Sequence, residues 1–300
     1  MLAKYQTDFI HYLRFEKRYS SQTIAAYQTD LKQFFSFFIK IYGPLPEQAS
    51  GIEAFHIRTW LADLKETRQQ SSRSINRKIS TLQSFFNYLK KMQLTDKNPT
   101  KRLHTLKTPE RLPVFVKEQE ADWLLEGLDF GQDFKGKTDR LICEILYATG
   151  MRRNELMLLK EKDVEWSLKQ IRILGKGNKE RLVPVSTPLL NLIKHYVADK
   201  KEVPNYNDEF LLILESGAPL YAGYIYRTVK KYLTETGTTL PRKSPHVLRH
   251  SFATHLLENG ANIQAIKDLL GHSSLAATQI YTQNSIARLK EIHEKNHPRG

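Results

Sequence analysis

The chain has 300 residues, 46 basic and 32 acidic, for a formal net charge of +14. Hydrophobic residues make up 40% and aromatics 10%, enough for folded cores, so a disordered basic tail is excluded. Its one cysteine, Cys143, excludes a disulfide scaffold and a thiolate metal cluster, and is expected in a core. Residues 1–97 then read as four helices. Tyr5, Phe9, Tyr12 and Leu13 recur at helical spacing. Ser21 is the expected cap of a second helix striped by Ile24, Tyr27, Leu31, Phe34, Phe35 and Phe38. The run IYGPLP breaks it. Ile57, Trp60, Leu61 and Leu64 mark a third helix, and Ile75, Ile79, Leu82, Phe86 and Leu89 a fourth. These aromatics sit on the buried period, so they read as core rather than as a base-stacking platform.

Residues 98–113 carry three prolines, many charges and no apolar period, which predicts a linker. Beyond it, Ala121, Leu124, Leu125 and Leu128 open a new helix, and Leu141, Ile142, Ile145 and Leu146 give another ending at Gly150. The runs DVEW, QIRIL and RLVPV are strand-like, and helices resume near Leu189. The fold is therefore mainly α, with a small sheet inserted into the second module. Charge divides unevenly between the modules. Residues 1–108 hold 18 basic and 8 acidic side chains, against 28 and 24 in the remainder. A folded chain this basic points to a polyanion, nucleic acid first. The first twenty residues lack the apolar stretch of a signal peptide. Later apolar segments are short and cut by charge, so no membrane span is expected.

A few residues stand out as candidates for chemistry. Arg152, in ATGMRRNELMLL, follows a glycine and opens an apolar helix, where a guanidinium can fork onto a phosphate. Glu155, three residues on, can hold it, though an ordinary surface ion pair has the same spacing. Lys176 lies in the turn GKGNKE between Gly175 and Gly177, which let backbone approach a ligand. That turn lacks the spacer and the Gly-Lys-Ser/Thr ending of a phosphate-binding loop, so ATP is not inferred. In HVLRHSFATHLLENG, His246 and Arg249 share a helical face and suit phosphoryl transfer. His246 and His250 also have the i, i+4 spacing of a metal pair. Without an HExxH pattern, and with Arg249 alongside, that reading is weak. His272 follows Gly271 at an expected helix end, and Tyr281 lies nine residues on in QIYT.

Taken in order, Arg152, Lys176, His246, Arg249, His272 and Tyr281 resemble the site of the tyrosine recombinase (phage integrase) family, and the strings around them resemble its Xer-like branch. The likeness covers nearly the whole chain. It includes YSSQTIAAYQTDL, similar to the opening of the family's core-binding domain. Met151 and the doubled Arg152-Arg153 depart mildly from the family pattern; by position after the glycine, Arg152 is the catalytic candidate.

The resemblance implies a four-helix, SAM-like core-binding domain over residues 1–97 and a mostly helical catalytic domain over residues 114–300. The latter would carry a three-stranded antiparallel sheet. It implies a site-specific recombinase that cuts and rejoins duplex DNA through a 3′-phosphotyrosyl bond. Tyr281 would be the nucleophile, Arg152 and Arg249 the phosphate clamp, and His246 the proton acceptor. His272 would donate a hydrogen bond to the phosphate, and Lys176 would protonate the leaving 5′-hydroxyl. No metal or other cofactor is implied, because the phosphotyrosyl link conserves the ester. The two modules would clamp double-stranded DNA, with Arg73, Arg77 and Lys78 as candidate DNA contacts or, equally, a solvated basic face.

The resemblance further implies a homo- or hetero-tetramer on paired sites, in the cytoplasm at the nucleoid. Chromosome dimer resolution is the expected role, and mobile-element integration or DNA inversion is the alternative. The tail with Ile286, Leu289 and Ile292 is expected to dock on a neighbouring subunit. A type IB topoisomerase shares the pocket chemistry, but the full-length Xer-like match argues against it. Retention of all six residues argues against an inactive DNA-binding protein.

Overall fold

Apolar spacing dictates the N-terminal helices of the computed structural model, which describes residues 2–108, 114–175, 179–271 and 291–299. They are α1 (Leu2–Phe15), α2 (Ser21–Tyr42), α3 (Ala54–Glu66) and α4 (Ser72–Lys91). Serines set two of the starts. Ser20, one residue before the expected cap, accepts from the Thr23 N–H, and Ser71 accepts from the Ser74 N–H. Phe9, Phe34, Trp60, Phe85 and Phe86 are fully buried in one cluster, with Trp60 and Phe34 ring centroids 5.1 Å apart. Burying each phenylalanine contributes about 1.5–3 kcal/mol.

The chain divides into units Met1–Arg111 and Leu112–Gly300. The expected linker starts as part of the first unit. Leu103 and Leu106 pack on its core, and the Asn76 side chain exchanges hydrogen bonds of 2.8 and 2.7 Å with the Leu106 backbone. Two leucines among the eleven residues of 98–108 are too sparse a signal for periodicity.

The same unit holds a buried ionic network. Asp30 on α2 accepts from Lys78 Nζ at 2.8 Å, from Thr81 Oγ1 at 3.0 Å, and from Arg77. Lys78 is 2% exposed, bonds Gln33 as well, and lies over the Trp60 ring. Its ammonium is spent inside the unit, so it is not available to DNA, contrary to expectation. Arg77 gives one nitrogen to Asp30 but keeps a side chain 44% exposed, and Arg73 is exposed.

In the second unit, α5 (Glu118–Asp122) runs into a π-turn at Trp123–Gly127, and α6 (Phe134–Thr149) is the central helix, with Leu141, Ile142, Cys143, Ile145 and Leu146 buried. The short helix α7 (Arg153–Met157) leads to β1 (Val164–Glu165), β2 (Gln170–Leu174) and β3 (Glu180–Pro184). The sheet is antiparallel in the order β1-β2-β3, with Ile171 opposite Val183 and Ile173 opposite Arg181. The helices α8 (Thr187–Lys200), α9 (Ala222–Glu235), α10 (Pro245–Glu258) and α11 (Ile263–Leu270) follow the sheet. Among the described residues no helix is long and apolar enough to cross a membrane.

Histidines fasten this unit internally. His255 is fully buried, with Nε2 2.9 Å from the Val116 carbonyl and Nδ1 2.8 Å from the Tyr147 hydroxyl. A carbonyl only accepts, so Nε2 carries a proton. Residues 291–296 are helical, and Ile292 packs on this unit's own core. His293 Nε2 meets the Ala148 carbonyl at 2.9 Å, and the His293 and His297 rings stack 5.1 Å apart. This part of the tail therefore rests on its own chain, where the sequence led us to expect a neighbouring subunit. Ile286 and Leu289 lie outside the described residues.

Candidate active site

The end of α6 and the start of α7 place the first arginine. Gly150 closes α6 in the left-handed region, at φ 59°, and a Cβ there would lie 2.5 Å from the Phe252 ring. Arg152 follows as the residue capping α7. Its backbone N–H and its Nη1 each donate to Glu155, both at 2.7 Å, and its side chain stays 38% exposed. The spacing noticed in the sequence is thus a directed clamp, with the guanidinium open to solvent on its free side.

Glu155 is buried beneath it and has a second arginine. Arg181 on β3 donates from Nη1 and Nη2 to the two carboxylate oxygens, at 3.1 and 2.7 Å. Burial alone would raise the Glu155 carboxyl. The hydrogen bonds and charge of Arg181, with the bonds from Arg152, outweigh burial and hold it below the usual carboxylate range.

Arg249 reaches the site from α10. It is buried, and it donates to the Gly150 carbonyl at 2.6 Å and the Leu270 carbonyl at 2.8 Å. Those carbonyls end α6 and α11, where helix dipoles present partial negative charge to a cation. Burial first, then the charges of Arg152 and Arg181, push Arg249 down to about 10, still a cation at neutral pH. His246, three residues earlier, lies on the exposed side of α10. Partial desolvation first, then Arg153, Arg249 and Arg152, lower its pKa and favour the neutral imidazole.

Arg152, Glu155, His246 and Arg249 are therefore brought together. Lys176, His272 and Tyr281 lie outside the described residues. His250 is half-buried on α10, and no cluster of three or more His, Cys, Asp or Glu side chains suited to a metal occurs among the described residues. Sequence reasoning missed two features. One is Arg181. Its signal was parity: it faces inward with Val183, opposite Ile173. The other is a groove of about 560 Å³ beside His246, lined by Arg153, Tyr226, Lys230, Arg242 and Lys243 among others. Its cations come from three separate stretches, so no run of charge announced it.

Residues 115–288 match the phage integrase family, and residues 7–93 match the phage integrase N-terminal SAM-like domain. The tyrosine recombinase XerD of Listeria monocytogenes serotype 4b (strain F2365) is 35% identical over 296 residues, 98% of each chain. The tyrosine recombinase XerC of Oceanobacillus iheyensis is also 35% identical, over 100% of this chain and 97% of the relative. Among solved structures, the XerH site-specific recombinase bound to palindromic difH substrate, a post-cleavage complex, is similar with a TM-score of 0.71 and 26% identity. That alignment covers 89% of this chain and 78% of XerH. The chain belongs to the phage integrase family of tyrosine recombinases.

Proposed function

We propose that this chain cuts and rejoins duplex DNA at a specific site, with Tyr281 as nucleophile. The tyrosine oxygen forms a bond to phosphorus as the bond to the 5′-oxygen breaks. His246 takes the phenol proton, and Lys176 gives one to the leaving oxygen. Arg152 and Arg249 neutralise the charge that builds on the non-bridging oxygens, and His272 donates a further hydrogen bond. A second 5′-hydroxyl then reverses the step and releases the tyrosine. One observation supports this reading most. Arg249 bonds the Gly150 carbonyl, two residues before Arg152, His246 lies one helical turn from Arg249 on α10, and each arginine is anchored from behind.

The domain scheme of a core-binding module, a linker and a catalytic module is part of this proposal. So are a homo- or hetero-tetramer on paired sites and action on nucleoid DNA in the cytoplasm. Equal identity to relatives named XerC and XerD supports an Xer-like role, which we take to be chromosome dimer resolution.

The test uses two preparations. Tyr281→Phe is mixed with genomic fragments, and the retained DNA is sequenced. A nicked suicide duplex carrying that sequence is then given to the wild-type chain. A covalent protein–DNA adduct on a denaturing gel is expected, and Tyr281→Phe is expected to form none while still binding. Adduct formation by Tyr281→Phe would remove Tyr281 from the role. Adducts on any duplex, with nicking and religation but no strand exchange, would indicate a topoisomerase instead.

The groove beside His246 is assigned to the phosphate backbone. Lys230→Gln and Lys243→Gln are each expected to reduce the slope of log affinity against log salt by about 1. Affinity should fall to a similar extent on specific and unrelated duplexes. An unchanged slope in both variants would take the groove out of the interface.

A further inference from the structure

Arg181 faces inward from β3, and its side chain is only 4% exposed. A buried guanidinium is strongly unfavourable unless every face is matched, and an apolar side chain of similar volume often serves stability as well. Here the fork is matched on two sides. Nη1 and Nη2 take both oxygens of Glu155, and Nε donates to the Leu269 carbonyl at 2.8 Å. Glu155 in turn holds Arg152 through two bonds of 2.7 Å. The carbonyl next to Leu269, that of Leu270, belongs to Arg249. Gly271 leaves room for the fork, since a Cβ there would lie 3.0 Å from Arg181 Cδ.

We propose that Arg181 is a positioning residue for strand cleavage, its buried fork fixing the Glu155 carboxylate that aims Arg152 and the end of α11 that Arg249 grips. The role rests on the recombinase activity proposed for this chain. Stability alone does not require an arginine here, but aiming a carboxylate does. Only a planar pair of donors sets the carboxylate angle, and only a cation keeps that carboxylate ionised in a buried place. Glu155 is otherwise left with Arg152 against its own burial, which favours the protonated acid.

The test compares full-length wild type, Arg181→Met, Arg181→Lys and the double variant Arg181→Met/Glu155→Gln. The probe is the nicked suicide duplex built on the fragment that Tyr281→Phe retains. Duplex affinity and single-turnover adduct formation are measured at pH 8 and pH 6. Arg181→Met is expected to lose about 10- to 100-fold in rate at pH 8, the scale of a small misplacement, with affinity within about twofold. Its rate should fall more steeply than that of wild type between pH 8 and pH 6. The double variant should lose that extra steepness, and Arg181→Lys should recover part of the rate. Each rate is divided by the folded fraction measured at the same pH by circular dichroism, so a destabilised variant still reports.

A wild type that reacts while Arg181→Met matches its rate and pH profile overturns the positioning role alone. So does a rate loss fully explained by weaker duplex binding. A wild type that forms no adduct overturns the recombinase reading, and the proposal with it.

Discussion

Replacing Arg249 with lysine is expected to slow single-turnover adduct formation by about 10²- to 10³-fold, with duplex binding largely kept. The loss follows from how the native guanidinium divides its donors. One edge holds the carbonyls ending α6 and α11, at 2.6 and 2.8 Å, and among the described residues the remaining N–H groups bond no other partner, which suits them to the phosphate role proposed above. An ammonium has three donors on one point and cannot hold two divergent carbonyls while facing a third acceptor. Charge is therefore conserved in the variant and geometry is not. A rate within tenfold of wild type would mean that charge alone suffices, and the fork argument would fall. Arg249→Ala should be worse for stability as well, because it leaves two buried carbonyls without their partner.

Asp30→Ala is expected to destabilise the N-terminal unit by about 3–5 kcal/mol, read from chemical unfolding. The aspartate is 1% exposed and receives Lys78, Arg77 and Thr81. Its removal strands the Lys78 ammonium, whose side chain is 3% exposed, next to Trp60 without a counter-charge. The double variant Asp30→Ala/Lys78→Met should recover much of the loss, since the methionine needs no partner. A single-variant loss below about 1 kcal/mol, or no recovery in the double variant, would show that the pair is not what holds α2 to α4.

Helices were legible because their apolar residues repeat at the helical period, as with Ile57, Trp60 and Leu64. Strands were legible because QIRIL and RLVPV alternate. Arg152 with Glu155, and His246 with Arg249, were legible because local spacing fixes local partners. Long-range partners were not. Nothing near Arg181 in the chain announces Glu155, 26 positions earlier, or Leu269, 88 positions later. Lys78 was misread for a related reason. It stands three residues after Ile75 and four before Leu82, on the apolar stripe, yet its type suggested the surface. Position should have outranked identity there, because a buried cation is allowed once a partner such as Asp30 arrives from another helix. The cap at Ser20 was missed by one residue, the ordinary blur of a helix start.

The burial of Lys78 also bears on how the protein should respond to ionic strength. Net charge and the number of cations able to displace condensed counterions are different quantities. The Lys78–Asp30 pair removes one charge of each sign, so the far field is unchanged, while one cation leaves the set that can meet a phosphate. Arg181 is withdrawn in the same way by Glu155. On the function proposed above, counterion release is expected to scale with exposed side chains such as Arg73 and those of the groove beside His246, rather than with the formal +14.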